Sequence, residues 1–219
     1  MGKLLKQNKI GYHHGNLRVA LLTTARDLLE ENGAASLCLR ELSRRAGVSH
    51  AAPYRHFRDK QALLKSLIIE GYELIKLAED SKQTSTTLPK EKLFIAMTNY
   101  VEFGLAYPEL HQLIFGIQNN NLTDDEVRSA GKACFDQFVA IVKDALPRAK
   151  KNDARFVALS LWSHAHGVLL LTPNPRNKER GVCDFSGENA AGYMKTLRYG
   201  MEALVAGSFG QKWKNPYLF

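Results

Sequence analysis

The chain has 219 residues, of which 45% are hydrophobic, and it carries a formal net charge of +8 at pH 7. This length is enough to bury the core of one or two helical domains. The chain shows neither the continuous apolar N-terminal stretch of a signal peptide nor a run of about 18 apolar residues that would predict a membrane span. We therefore expect a cytoplasmic protein that makes no contact with a membrane.

The positive charge is concentrated near the N-terminus. Residues 1–66 contain 12 Lys or Arg against 5 Asp or Glu, whereas residues 67–219 contain 18 against 17. A module that binds phosphates, attached to a nearly neutral module, produces this asymmetry.

The cysteines and paired histidines do not predict a metal site or a disulfide framework. Cys38, Cys134 and Cys183 are odd in number and lack the spacing of metal ligands, which favours reduced thiols in the cytoplasm. His13 and His14 have no carboxylate or thiol close to them in the sequence. We expect neither a metal nor another cofactor.

The first 32 residues predict a basic arm followed by a helix. Residues 1–15 contain three lysines and are expected to be a flexible arm. Contact of these lysines with phosphates or the minor groove is a hypothesis that the sequence leaves open. Asn16 can cap a helix that runs to about Asn32, where Asn32-Gly33 ends it.

The stretch 39–64 predicts two short helices joined by a tight turn, followed by a third helix. The first short helix covers about 40–46, and Gly47 can adopt the positive φ that ends it. Ser49 is a good N-cap for a second helix over about 50–57. This arrangement is a helix-turn-helix, whose second helix enters the major groove of DNA.

The predicted second helix has side chains suited to DNA contact. His50, Ala51 and Ala52 lie in its first turn, and Tyr54, Arg55 and His56 carry hydrogen-bond donors. Pro53 falls in the first turn, where a proline costs less than in mid-helix. Asp59 caps the third helix, which starts near Lys60 and runs to about Asp80.

The remainder of the chain also has helical periodicity. We predict a polar loop over 81–89 and then helices at about 90–106, 108–116, 123–146, 152–171 and 187–207. The predicted fold is all-α, with an N-terminal helix-turn-helix domain and a larger helical domain. The predicted boundaries are 1–15 for the arm, 16–65 for the DNA-binding domain and 66–219 for the effector-binding and dimerisation domain.

Residues 16–65 resemble the DNA-binding domain of the TetR family of bacterial transcriptional regulators. The matching segments are Arg40-Glu41-Leu42, Ala46-Gly47-Val48-Ser49, Tyr54-x-His56-Phe57, Lys60 and Leu63-Leu64. The resemblance implies that Arg40, His50 and Ala51 read bases and that Tyr54, His56 and Lys60 contact phosphates. Cys38 stands where the family usually has a threonine that caps the helix.

The C-terminal half resembles a TetR effector domain of the tryptophan–histidine–glycine type. Trp162-x-x-x-His166-Gly167 carries the resemblance, supported by Tyr107-Pro108-Glu109-Leu110 and Leu113-x-Phe115-Gly116. Gly167 would permit close approach of another helix. Trp162 and His166 share one helix face; they belong either to the core or to a ligand cavity lined by Phe103, Tyr107, Leu110, Phe115, Trp162 and His166.

The last two predicted helices have more apolar surface than a single thin domain needs. The family resemblance implies that they pair with a second copy in a four-helix interface. A dimer would also place two reading helices about 34–36 Å apart, as a palindromic operator requires.

These features together predict a homodimeric repressor that a small hydrophobic or aromatic ligand releases from a palindromic operator. A transcriptional activator or dual regulator of the same fold is an alternative, as is a protein that binds DNA without sequence preference. An enzyme is disfavoured, because no pair of carboxylates, Ser/His/Asp set, Cys–His set or phosphate-binding glycine loop stands out.

Overall fold

The structure, a computed structural model, describes residues 17–81, 88–116, 124–146, 151–172 and 192–207. Within these ranges the chain forms eight α-helices and no strand, which confirms the predicted all-α fold. The helices are α1 (Leu17–Ser36), α2 (Leu39–Ala46), α3 (Lys60–Ser81), α4 (Pro89–Ala106), α5 (Pro108–Phe115), α6 (Asp125–Ala145), α7 (Lys151–Leu171) and α8 (Gly192–Gly207). The predicted arm, the Asn16 cap, most of the 81–89 loop and Cys183 lie outside the described residues.

The chain divides into two compact units between Leu67 and Ile68. In the first unit, α1, α2 and the first turns of α3 surround a small apolar core. Its fully buried side chains include Leu21, Leu29, Leu37, Leu42, Phe57, Leu63 and Leu67. Burying such side chains contributes about 1.5–3 kcal/mol each, so this core holds the three helices together.

The first helix is interrupted where the sequence predicts its end. Gly33 adopts φ 74° and ψ 167°, which is not a helical conformation, so the regular helix stops at Asn32-Gly33 and only a short helical turn follows to Ser36. The hydroxyl of Ser36 donates to the main-chain carbonyls of Asn32 and Gly33, both at 2.9 Å. The predicted stop at Asn32-Gly33 is therefore confirmed.

Both ends of α2 follow the chemistry of the sequence. Cys38 caps its start, with the thiol sulfur accepting the main-chain N–H of Glu41 at 3.5 Å. Gly47 ends it in the left-handed region at φ 66°, with its N–H bonded to the carbonyl of Arg44. A thiol thus replaces the usual threonine hydroxyl as a longer and weaker cap.

The segment after Gly47 corrects one prediction. An α-helix was expected over 50–57, but the structure has turns from His50 and a single 3-10 turn over Pro53–Arg55. In an α-helix the carbonyl of Ser49 would accept the N–H of residue 53, and proline has none. The N–H of Ala52 takes that carbonyl instead, at 3.0 Å, which tightens the backbone into i to i+3 bonding. Ser49 therefore supplies its carbonyl to the turn, and the residue that caps the 3-10 turn is Ala52.

The third helix starts where the sequence predicts. A carboxylate oxygen of Asp59 accepts the N–H of Ala62 at 2.9 Å, which lowers the pKa of Asp59. From this cap α3 continues without interruption to Ser81 and so supplies residues to both units.

The second unit is a bundle in which α7 packs against α4, α6 and α8, and α4 also packs against α5 and α8. Glycines allow two of its closest contacts: a Cβ at Gly71 would overlap Ile114, and a Cβ at Gly104 would overlap Leu169. Gly167 was predicted to admit another helix. The structure contradicts this within one chain, since a Cβ there would meet nothing within 4 Å.

One described segment, Asp153–Leu171, is long and apolar enough to cross a membrane by length and composition, with a mean hydropathy of 1.2. It lies within α7, whose neighbours are three other helices of the bundle. A core helix passes the same test, so this is weak evidence for a membrane span.

Replacing Gly47 by alanine is expected to lower the free energy of unfolding by about 1–2 kcal/mol, because a Cβ is strained at φ 66°. Gly47→Asn is the matched control and should lose less, since asparagine tolerates the left-handed region. Chemical denaturation of both variants measures the difference; equal stability of Gly47→Ala and the wild type would contradict the conformation.

Candidate DNA-reading surface and effector cavity

The predicted DNA-binding side chains lie on one connected stretch from α2 to the start of α3. Exposed members of the set are Arg40, Ser49, His50, Ala51, Tyr54, Arg55 and His56, while Ala52 and Lys60 are half-buried. Pro53 and Phe57, between them in sequence, are buried. The buried pair anchors the turn and leaves the polar side chains at the surface; their individual roles stay predictions.

Charge pairing separates the basic residues of this unit into two groups. Arg44 pairs with Glu41, Arg45 with Glu31 and Arg58 with Asp59. Arg40 and Arg55 have no such carboxylate partner in the part of the chain that the structure describes. Their guanidinium groups are thus available to guanine edges or phosphates.

Lys60 has a structural contact that the sequence did not predict. Its ammonium donates to the main-chain carbonyl of Ala35 at 2.8 Å, near the end of α1. An ammonium has three donors, so this bond is compatible with the predicted phosphate contact. It also fixes the start of α3 to α1.

The second unit encloses a cavity of about 240 Å³ between four helices of the bundle and α3. Aromatic and apolar side chains dominate its lining, which consists of Tyr72, Ile75, Ala96, Met97, Tyr100, Phe115, Gly131, Cys134, Phe135, Phe138, Trp162 and Ala165. Cavities of this kind bind small apolar molecules.

The structure places two of the six predicted ligand residues, Phe115 and Trp162, in the cavity wall. His166 is bonded to a wall residue, Tyr100. The other three are not among the lining residues: Phe103 and Tyr107 pack together with ring centroids 5.7 Å apart, and Leu110 is fully buried close to Gly71. Contact of any of them with a ligand stays a prediction.

A cluster of three polar side chains, two buried and one half-buried, supports the cavity wall. The hydroxyl of Tyr100 lies 3.0 Å from Nε2 of His111 and 2.6 Å from Nδ1 of His166. Tyr100 also makes edge contacts with Phe115 and Trp162. One phenol therefore connects α4, α5 and α7.

Burial keeps all three members of this cluster neutral. It lowers the pKa of His111 to about 3, with the nearby His166 adding to the effect, and it also lowers the pKa of His166. Burial likewise raises the pKa of Tyr100 above its ordinary value. Each neutral imidazole has one donor and one acceptor, so the hydroxyl donates to one ring and accepts from the other. Among the described residues, no group of three or more His, Cys, Asp or Glu side chains is arranged to hold a metal ion.

Sequence reasoning missed most of the cavity, although a signal was present. Gly131, Cys134, Phe135 and Phe138 have the i, i+3, i+4, i+7 spacing of one helix face. That spacing also describes an ordinary core stripe, and only the packing of five helices distinguishes the two. Tyr100 and His111 carry no local pattern at all.

The His111 cluster makes the stability of the protein depend on pH. Since the folded pKa lies below the ordinary value near 6.5, the unfolded chain binds a proton that the folded chain does not. Stability is therefore complete above about pH 6.5 and falls toward pH 3, by about 1.4 kcal/mol per pH unit. Urea unfolding between pH 7 and 5 should show a shallower loss for His111→Gln than for the wild type. His56→Gln, at an exposed position, is the control and should keep the wild-type slope; parallel curves for His111→Gln and the wild type would contradict the burial of a neutral imidazole.

Comparisons with known proteins agree with this geometry. Residues 21–67 match the family described as "Bacterial regulatory proteins, tetR family", and residues 93–174 match "Tetracyclin repressor-like, C-terminal domain". A protein of unknown function from Rhodococcus sp. RHA1 is 30% identical, with a TM-score of 0.71, over 91% of this chain and 98% of that one.

Two more distant structures share the fold. The TetR family transcriptional regulator PfmR from Thermus thermophilus is 16% identical, with a TM-score of 0.59, over 85% of this chain and 97% of that one. A TetR variant from Acinetobacter baumannii AYE, in complex with minocycline, is 18% identical, with a TM-score of 0.55, over 90% of this chain and 96% of that one.

The two family matches together cover more than half of the chain, and they fall on the two units that carry the reading surface and the cavity. The protein belongs to the TetR family of bacterial transcriptional regulators and is a DNA-binding protein, not an enzyme.

Proposed function

We propose that the protein is a homodimeric repressor that binds a palindromic operator and leaves it when a small hydrophobic or aromatic molecule enters the cavity. The observation that carries the proposal is that α3 both begins beside the reading surface, at Lys60, and lines the cavity, through Tyr72 and Ile75. We assign residues 16–65 to DNA binding, residues 66–219 to effector binding and dimerisation, and the action to the cytoplasm.

The division of roles on the reading surface is the one that the family resemblance implies, and side-chain chemistry is consistent with it. The guanidinium of Arg40, which has no carboxylate partner among the described residues, suits bidentate contact with guanine. Tyr54, Arg55, His56 and Lys60 supply donors to phosphates. The tight turn at Pro53 holds this set together, with small Ala51 and Ala52 allowing close approach to base edges.

The cavity favours an apolar effector. Its wall is mainly aromatic, and the hydroxyl of Tyr100 is already bonded to two imidazoles. A strongly polar ligand would find few partners in this wall, and each buried polar group that it left unpaired would cost about 1–3 kcal/mol. A TetR variant that shares the fold was solved in complex with minocycline.

We infer that the C-terminal unit is of the tryptophan–histidine–glycine type. Trp162 is part of the cavity wall, and His166, one turn later on α7, holds the wall residue Tyr100. The open space beside Gly167 is available to a neighbouring molecule. In this signature Trp162 forms part of the wall, His166 supports it, and Gly167 is half-buried with no described atom packed against the position of a Cβ.

Dimerisation is proposed through α7 and α8. Large apolar side chains remain exposed on these helices, including Phe156 at 70% and Tyr199 at 78%, together with Leu159 and Leu170. Exposed apolar surface of this extent is typical of an interface. Two copies joined there would present two reading surfaces to one palindrome.

Coupling needs only that the effector binds one arrangement of α3 better than another. A ligand in contact with Tyr72 and Ile75 would change the relative free energies of the possible placements of α3, and α3 also carries Lys60. A shift of α3 would alter the spacing of the two reading surfaces and release the operator.

Arg40→Ala should relax base preference at one base pair of each half-site by about 1–3 kcal/mol, because a bidentate contact is lost. Lys60→Ala and Arg55→Ala should weaken binding to all duplexes alike and reduce the salt slope by about one unit. Competition of a palindromic upstream duplex against random DNA, repeated across salt concentrations, measures both effects. Arg55→Ala is the matched variant, since Lys60 also holds the carbonyl of Ala35. Equal affinity of the wild type for all duplexes, or a base-specific effect of Lys60→Ala, would contradict the assignment.

Ala165→Leu should fill part of the cavity and reduce binding of the neutral fluorescent probe N-phenyl-1-naphthylamine at least several-fold. Ala140→Leu, on the exposed side of α6, is the control and should bind the probe as the wild type does. Compounds that displace the probe are then tested for release of the operator duplex. Undiminished probe binding by Ala165→Leu, or operator affinity unchanged by every displacing compound, would count against an effector cavity.

A further inference from the structure

A buried serine on α2 is bonded to the first residue of the reading turn. The Ser43 hydroxyl is fully buried, donates to the main-chain carbonyl of Arg40 at 2.7 Å and lies 3.0 Å from Nδ1 of His50. His50 itself is exposed. Ser43 therefore contacts two of the three residues to which base reading is assigned.

The hydroxyl has one proton, and its partners determine where that proton lies. The carbonyl of Arg40 can only accept, so at 2.7 Å the Ser43 proton must point toward it. The serine oxygen is then an acceptor toward His50, and Nδ1 of His50 must carry a hydrogen to donate. A hydrogen bond at one ring nitrogen sets the protonation of the other.

A neutral imidazole with its hydrogen on Nδ1 has a bare lone pair on Nε2. Free histidine prefers the other tautomer, in which Nε2 carries the hydrogen and is a donor. The contact with Ser43 therefore makes the exposed Nε2 of His50 an acceptor instead of a donor. In the major groove, an acceptor finds a partner only in an amino group: N6 of adenine or N4 of cytosine. Guanine N7 and O6 and thymine O4 are themselves acceptors.

We propose that Ser43 is a positioning residue that fixes the tautomer of His50, so that His50 selects a base pair by the exocyclic amino group of adenine or cytosine. The proposal rests on the assignment of His50 to base reading. It adds that His50 acts as a hydrogen-bond acceptor toward the base. It also gives a role to a buried serine that does not contact DNA.

The tautomer is tested first, without DNA. Protein labelled with ¹⁵N in its histidines is examined by long-range ¹H–¹⁵N correlation at pH 8, above the range in which histidine ordinarily titrates. The spectrum of His50→Ala identifies the His50 signals by their absence. Wild-type His50 should show a protonated Nδ1 and a bare Nε2, and Ser43→Ala should shift it toward the Nε2-protonated form. A wild-type Nε2–H tautomer would overturn the proposal.

Base selection is tested by enriching bound duplexes from a randomised library with full-length wild type, Ser43→Ala, His50→Ala and the double variant. At one position of each half-site the wild type should prefer, by about 2- to 10-fold, the pair and orientation that place the amino group opposite His50; this is the range of a single hydrogen bond. Both single variants should lose that preference at the same pair and keep the preference due to Arg40. The double variant should match His50→Ala, because Ser43 acts only through the imidazole.

Base analogues identify which amino group is read. Replacing adenine by purine, or cytosine by 2-pyrimidinone, at the selected position removes the amino group and should reduce wild-type affinity by the same factor. His50→Ala should be indifferent to the analogue. A wild-type preference that survives removal of the amino group from that pair, or a Ser43→Ala effect that persists without His50, would overturn the proposal.

Failure of the proposal for Ser43 and His50 can be distinguished from failure of the proposed repressor function. Retained affinity of the wild type for its enriched palindrome over random DNA upholds operator binding whatever His50 does. If His50→Ala leaves every base preference unchanged, the proposal for Ser43 and His50 fails while operator binding stands.

Discussion

The helix α3 is the constraint on which the rest of the structure depends. It begins at the Asp59 cap, where Lys60 holds the end of α1, and runs unbroken to Ser81. Its middle is packed closely, since Gly71 leaves room only for Ile114 of α5, and its later turns supply Tyr72 and Ile75 to the cavity. One continuous helix thus supplies residues both to the first unit and to the cavity wall. The proposed coupling between effector and operator rests on this continuity.

In both hydrogen-bonded histidine sites, the position of a hydroxyl proton determines which atoms are left to donate or accept. In the first unit the Ser43 proton is committed to the carbonyl of Arg40, which leaves the serine oxygen to accept from His50. In the second unit the Tyr100 hydroxyl lies between two imidazoles and bonds to both. The first arrangement exposes an acceptor to a partner, whereas the second commits the only hydroxyl proton of Tyr100 within the protein. The same counting of donors and acceptors therefore supports a polar, selective surface for DNA and an apolar cavity for the effector.

Local sequence chemistry predicted the helices and their ends well, because caps and turns depend on neighbouring residues. Gly47, Asp59 and the apolar spacing of α3 are such cases, and Cys38 acts as a cap in place of threonine. The same reasoning failed between Ser49 and Phe57, where two local signals compete. Ser49 and the following residues favour an α-helix, but Pro53 has no N–H to donate, and the segment forms a 3-10 turn instead. The cavity lay beyond local reasoning, because a stripe such as Gly131 to Phe138 is identical in a core and in a cavity wall. Trp162 and Phe115 were predicted through a family signature, while Tyr72, Tyr100 and Cys134 become neighbours only by packing.

The central claim is that two copies present their reading turns to successive major grooves of one duplex. Electron–electron distance measurement between spin labels at Arg58→Cys in each copy tests this on the operator-bound dimer. Arg58 is exposed and lies beside the DNA-reading residues without being one of them. The background is Cys38→Ser, which retains a cap, with Cys183→Ser to prevent labelling there. The account predicts a separation of about 34–36 Å, one turn of B-form DNA, once the length of the label is allowed for. A separation that differs from one helical turn by more than the reach of the labels, or a bound species with a single copy, would contradict it.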